Sequence, residues 1–159
     1  MNEVLKKYFD DKGWKYSNAE SESIFFFGIS GVNLTIHCTA DLDEEKKRFL
    51  FCTEASVSVP EEKRRDIAEL LTRFNYGTFL GNFEMNFENG RIQFRTSIVY
   101  DSIELTDILL GNLIMNNIIS MDLSFPSIQK VLEEDQTPLD AYLFMQGQID
   151  ALKKEVESG

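Results

Sequence analysis

His37, Cys38 and Cys52 are the residues of this chain best suited to chemistry. His37 is the only histidine, and the two cysteines are the only thiols. A cysteine becomes a nucleophile when an imidazole sits within hydrogen-bond reach of its sulfur. A zinc site takes four ligands, or three and a water, and these residues do not supply such a set. The acidic run Asp41, Asp43, Glu44 and Glu45 lacks the spacing and central glycine of a calcium loop, so it reads as a solvated turn. Gly28 and Gly31 fall within a hairpin pattern rather than between a strand and a helix, so they do not form a phosphate cradle. Carboxylates are spread along the whole chain, and none stands out as an acid–base pair. The sequence therefore predicts no catalytic residue, no metal and no cofactor, hence a protein that is not an enzyme. The alternative is a thiol enzyme using Cys52.

The elements that position these side chains follow from apolar periodicity. Residues 24–29 and 32–40 alternate around Ser30-Gly31, which reads as a two-residue hairpin turn. That turn sets Phe25 opposite Ile36, Phe27 opposite Leu34 and Ile29 opposite Val32, all on one face. A third strand, 48–59, follows the acidic turn, with Phe49, Phe51, Ala55, Val57 and Val59 on the core face. In this parity Cys38 points to the core and Cys52 to the other face, so no disulfide is expected. His37 shares the second face with Cys52.

Helices surround these strands. Asn2 reads as a cap for a first helix with Val4, Leu5, Tyr8 and Phe9 on one stripe, and Gly13 suits a left-handed stop. Residues 17–23 are polar and read as a loop. Pro60 opens a central helix with Ile67, Leu70, Leu71 and Phe74 inward, ended by Gly77. Asn89-Gly90 marks a second hairpin that pairs Glu88 with Arg91, Phe87 with Ile92, Met85 with Phe94, Phe83 with Thr96, Phe79 with Tyr100 and Glu84 with Arg95. Residues 103–119 form a strongly apolar helix with Ile108, Leu109, Leu113 and Asn116 in phase. Residues 122–134 form a second piece, started or kinked by Pro126. Thr137 and Pro138 begin a last helix whose Tyr142, Met145, Ile149, Leu152 and Val156 keep heptad spacing for two heptads. This stripe either docks on its own domain or pairs with a second copy.

The 159 residues, 43% of them hydrophobic and 13 of them Phe, suffice for one domain with a real core. The predicted division is a domain over 1–134 and a helical appendage over 135–159. A net charge of −11 argues against phosphate-backbone binding, so no nucleic-acid partner is expected. No apolar run approaches a membrane span, and the first eleven residues lack the apolar stretch of a secretory signal. With few cysteines, this points to the cytoplasm and away from a membrane.

Two apolar surfaces remain to be explained. Ile24, Phe26, Leu50 and Cys52 lie on the second sheet face, which would be more polar if it met only solvent. Either a helix of this chain covers them, which the supply of helices favours, or they form a groove for a partner segment. Ile108, Leu109, Leu113 and Ile114 belong to a helix apolar on more than one side, buried within the fold or at an interface.

The stretch Leu70-Leu71-Thr72-Arg73-Phe74-Asn75, the strand with Gly81, and the hairpin leading into Gly90-Arg91-Ile92-Gln93-Phe94-Arg95 together resemble the YbjN family. The resemblance covers roughly residues 1–134. It implies an α+β fold similar to type III secretion chaperones: a helix, three antiparallel strands, a helix, a β-hairpin and C-terminal helices. It also implies a sensory transduction regulator with no catalytic residues. The expected function is a non-enzymatic protein-binding module, chaperone-like or regulatory, working as a homodimer with a further protein partner whose identity the sequence leaves open. The alternative in the same class is a dedicated type III secretion chaperone for an effector.

Overall fold

The computed structural model describes residues 2–20 and 23–158. Ser21 and Glu22, part of the predicted polar loop, lie outside the described residues. The elements run α1 (Glu3–Asp11), β1 (Ser17–Asn18), β2 (Ile24–Ser30), β3 (Thr35–Asp43), β4 (Arg48–Ser58), a short 3-10 turn (Glu61–Lys63), α2 (Arg64–Gly77), β5 (Asn82–Met85), β6 (Arg91–Val99), α3 (Asp107–Glu133) and α4 (Pro138–Ser158). All six strands form one antiparallel sheet in the order β1-β2-β3-β4-β6-β5. The predicted α+β class and element order hold, with β1 as an addition.

One sheet face carries the core. Phe25, Phe27, Ile36, Cys38, Ala40, Phe49, Phe51, Ala55, Ile92 and Phe94 are buried there. Over β2, Phe9 of α1 packs against Phe25 and Phe27, with ring centroids 5.7 and 4.8 Å away. α3 lies over β4 and β6, and Phe74 of α2 meets Phe83 of β5. The α2 stripe of Ile67, Leu70, Leu71 and Phe74 is buried as the sequence predicts. Gly13 takes φ +69° after α1. Asn2 occupies the cap position of that helix, but its side chain makes no capping bond.

α3 is fixed to the sheet by one buried amide. Asn117, fully buried, donates through Nδ2 to the carbonyls of Phe51 and Phe94 at 2.9 and 3.0 Å and to Thr96 Oγ1 at 3.2 Å. Its Oδ1 accepts from Thr53 Oγ1, and Thr96 Oγ1 in turn donates to the Leu113 carbonyl at 3.0 Å. Every polar group of this cluster is satisfied inside the core, as burial requires. The sequence pattern puts Asn116 in phase; the inward residue is Asn117, one position on.

Both hairpins keep the predicted faces but shift register. In the first, Phe25 pairs with Ala40, Phe27 with Cys38 and Ile29 with Ile36. The turn is a four-residue loop, 31–34, and not the two residues Ser30-Gly31. Its cause lies far away in the chain. Asp122 of α3 accepts from the amides of Val32, Asn33 and Leu34 at 3.1, 2.9 and 3.4 Å. A side chain on Gly31 would collide with that carboxylate. In the second hairpin, Phe83 pairs with Phe94 and Met85 with Ile92. Asn86 Oδ1 accepts from Glu88 N and Asn89 N, and Gly90 N donates to the Asn86 carbonyl at 2.7 Å. Gly90, at φ +72°, is used for close approach to β4: Val59 N donates to its carbonyl, and a Cβ there would strike the Val59 backbone. Phe79 and Phe87, which the sequence pattern sets in the ladder, are exposed. Because each register moved by an even number of residues, every in–out assignment within the strands survived.

The two predicted C-terminal pieces are one helix, α3, capped by Thr106 Oγ1, which accepts from Leu109 N. Pro126 sits inside it and offers no N–H to the Asp122 carbonyl one turn back. Asn33 Nδ2 donates to that orphaned carbonyl at 3.0 Å, so the helix continues. As one 27-residue helix, α3 is long and apolar enough to cross a membrane by length and composition, contrary to the sequence reading, which divides it. Half of its apolar window is buried in the fold, where it serves as the core helix. α4 begins as predicted: Thr137 Oγ1 accepts from Asp140 N and donates to Asp140 Oδ2. Its first half packs on α2 and α3, and every residue from 150 to 158 is exposed.

Replacing Asn117 with Ala should cost about 3 kcal/mol, because the Thr53 hydroxyl and the strand carbonyls lose their partner and a cavity remains. Asn112→Ala, on the exposed side of the same helix, should stay within about 0.5 kcal/mol of wild type. Urea unfolding of the two variants checks both values.

Candidate functional site

All described helices pack on the core face, which leaves the opposite sheet face open. The expectation that a helix of this chain covers that face is corrected by the helices themselves. α1, α3 and α2 fill the inner layer side by side, and α4 stacks on α2 and α3 rather than crossing a sheet edge.

The ladder register arranges the open face in rows. Ile24, Asp41, Leu50 and Ser97 form one row across β2, β3, β4 and β6. Phe26, Thr39, Cys52 and Arg95 form the next, and Gly28, His37, Glu54 and Gln93 the third. The four apolar residues read from sequence therefore come together in two adjacent rows. Ile24 and Leu50 flank Asp41, and Phe26 and Cys52 flank Thr39. Strands lie about 4.8 Å apart, so each pair spans roughly 10 Å. Phe26 is 43% exposed, whereas Ile24, Leu50 and Cys52 are half-buried by their neighbours. Val99, 61% exposed, extends this surface along β6 and is not singled out by the sequence. Two open depressions lie on this face: one is lined by residues including Asp41, Arg48, Leu50 and Val99, the other by residues including Phe26, His37, Cys52 and Arg91.

Three ion pairs lie on this face, and Asp41, between Ile24 and Leu50, has no ion-pair partner among the described residues. Arg48 bonds Asp43 at 2.8 Å, Arg95 bonds Glu84 at 2.7 Å, and Arg91 grips Glu54 through two nitrogens. The predicted Glu84–Arg95 ion pair is present, although Asn82 and not Glu84 stands directly opposite Arg95. Burial works against the Glu84 carboxylate. Hydrogen bonds from Gln93, Arg95 and Asn82 outweigh that cost and hold its carboxyl below the usual range. The Asp43 carboxyl is also held low, first by the Lys46 amide and then by Arg48.

Little in this geometry favours thiol chemistry. Burial pushes the Cys52 thiol up; Arg95 opposes this, and Glu84 and Glu54 reinforce it. The reactive species is the thiolate, which such surroundings disfavour. His37 stands opposite Glu54, one row away from Cys52. Cys38 lies in the core, with its thiol pushed up to about 12 by burial. The two cysteines are free and on opposite faces, as the sequence parity requires. Among the described residues no group of three or more His, Cys, Asp or Glu is placed to hold a metal.

The second predicted surface divides. Leu113 and Ile114 are buried at 3% and 0% exposure and belong to the core, because α3 turns them toward the sheet and its neighbouring helices. Leu109 is half-buried, and Ile108 is 78% exposed. The outward residues of α3 that the sequence reading misses are Ile119 and Leu123, at 49% and 37% exposure. The signal that could have found them is the scarcity of charge between Asp107 and Lys130.

This six-stranded antiparallel sheet, with its helices on one side, is an α+β fold already seen in a solved structure. The chain is similar to the crystal structure described as "YbjN, a putative transcription regulator from E. coli", with a TM-score of 0.58. The likeness covers 77% of this chain and 87% of that one at 13% identity, which shows the fold. Residues 2–130 match the family described as "YbjN: Putative bacterial sensory transduction regulator", and the chain belongs to the YbjN family. No curated protein matches it significantly. The helix-end residue and the glycine that carried the resemblance have structural roles. Asn75 accepts from Phe83 N at 2.7 Å and donates to the Phe83 carbonyl at 3.0 Å, closing the outer edge of β5. Gly81, at φ +86°, lies where a Cβ would meet the Phe94 ring.

Two measurements check these electrostatics. Because the folded Glu84 carboxyl lies below its ordinary value of 4.5, the group stabilises the fold above that pH. Its contribution fades as pH falls through the lowered value. The gap in urea midpoint between wild type and Glu84→Gln should therefore be widest near neutrality and narrow as the pH is taken below 4.5. In the native protein at neutral pH, Cys52 should alkylate more slowly than a free model thiol; a faster rate restores the enzyme reading.

Proposed function

We propose that this chain is a non-enzymatic regulatory module that works as a homodimer and holds an apolar, extended segment of another protein on its open sheet face. The observation that carries this reading is the uncovered cluster of Ile24, Phe26, Leu50 and Cys52, which the strand register gathers in two adjacent rows. A contiguous apolar cluster left open on an otherwise polar sheet face marks a candidate interaction site. Arg48, Arg91 and Arg95 around the cluster are each matched by a carboxylate, which leaves apolar contact, with Asp41 in its midst, as the main feature a partner would meet. That is how a chaperone-like module receives a segment not yet folded on its own. Membership of a family described as regulators supports a binding role over a catalytic one.

The test compares capture by the wild type with capture by Phe26→Asp and Leu50→Asp, each shown by circular dichroism to keep its fold. Proteins retained from the host extract by the wild type should be lost from both variants. An identical set on all three baits overturns the assignment of the sheet face.

A further inference from the structure

α3 meets the sheet with one side. Leu110, Asn117, Met121 and Ile128 point into the core. Ile108, Met115, Ile119 and Leu123 fall about half a turn away, on the side opposite the sheet. The last two and Ile108 are exposed, and Met115 is partly so. Between Asp107 and Lys130 the only charged residue is Asp122, and its carboxylate is turned aside to bind the 31–34 loop. The outward side of α3 thus runs from Ile108 to Leu123, roughly four turns, without a charge before α4 packs over the end of the helix, in a chain of which 27% is charged. Its polar members are neutral, chiefly the exposed Asn112.

We infer that this uncharged stripe is the contact between two copies of the chain, packed α3 on α3. The inference rests on the homodimer reading above and names the surface that reading lacks. Each copy carries a net charge of −11, so two copies meet at least cost where charge is missing. A basic partner would find no carboxylate on the stripe to bind. An anionic membrane surface would meet a chain of net charge −11, with Asp101 and Glu104 at one end of the helix and Glu133 at the other, beyond the ion-paired Asp107, Glu134 and Asp135. A second copy presents what the stripe itself offers: apolar side chains in phase, and an amide at Asn112 that both donates and accepts. A two-fold axis through the stripe uses each residue twice, so Ile119 would be buried from both sides of one interface.

Sedimentation equilibrium of the full chain tests this with wild type, Ile119→Asp and Phe26→Asp. Wild type and Phe26→Asp should be dimers. Ile119→Asp should dissociate at least about a hundredfold more readily, since two buried side chains are lost and two charges introduced. Ile119→Cys, which keeps the helix uncharged, should give a disulfide-linked dimer on mild oxidation where wild type does not. A monomeric wild type overturns both this inference and the homodimer reading. A dimer that survives Ile119→Asp and does not cross-link through Ile119→Cys overturns this surface alone. Flotation of the wild type with phosphatidylcholine vesicles, abolished by Ile119→Asp, would assign the stripe to a membrane and overturn it as well.

Discussion

The amide of Asn117 is the point on which this architecture turns. Sheet and helix are both apolar, and apolar surfaces slide past one another with little preference for one setting. An amide inside a core has only a few positions in which all its hydrogen bonds are made. Here it must meet two strand carbonyls and two threonine hydroxyls at once. That condition fixes how far α3 lies along β4 and β6 and which side of it faces inward. The position of Asp122 over the first hairpin then follows, and so does the loop that Asp122 closes. The outward stripe of α3 is set by the same rotation.

This dependence explains what was legible in the sequence and what was not. Side-chain parity was legible throughout, because alternation is a local property of each strand. It placed Cys38 inside, Cys52 outside and the Ile24, Phe26, Leu50 and Cys52 cluster on one face. Register was not legible, because both turns are governed by contacts beyond the hairpin. The first is set by a carboxylate some 90 residues away, and the second by an Asn side chain and by the approach of Gly90 to Val59. An Asn-Gly pair between two alternating runs signals a turn, but not which residues of that turn face each other.

The division of α3 failed for a related reason. Pro126 removes a helix bond, and from the chain alone that reads as a break. In the fold, the carbonyl it strands is taken by Asn33, a partner no local pattern could supply. The phase error between Asn116 and Asn117 has the same origin. Apolar residues lie all around this helix, so hydrophobicity could not tell its inner side from its outer one. The polar network and the run without charge make that distinction, and both needed the neighbouring elements to be in view.

The small clasp between Asn75 and Phe83 has a consequence for how the molecule meets others. A sheet that ends in a bare strand can template another chain, and repetition of that step grows fibrils. β5 is only four residues long, and the side chain of Asn75 occupies both main-chain groups of Phe83 as a neighbouring strand would. The border is finished from within. A visitor therefore gains little by lying alongside β5, and at this end the sheet is left to be read across its face, as a surface rather than as a seam.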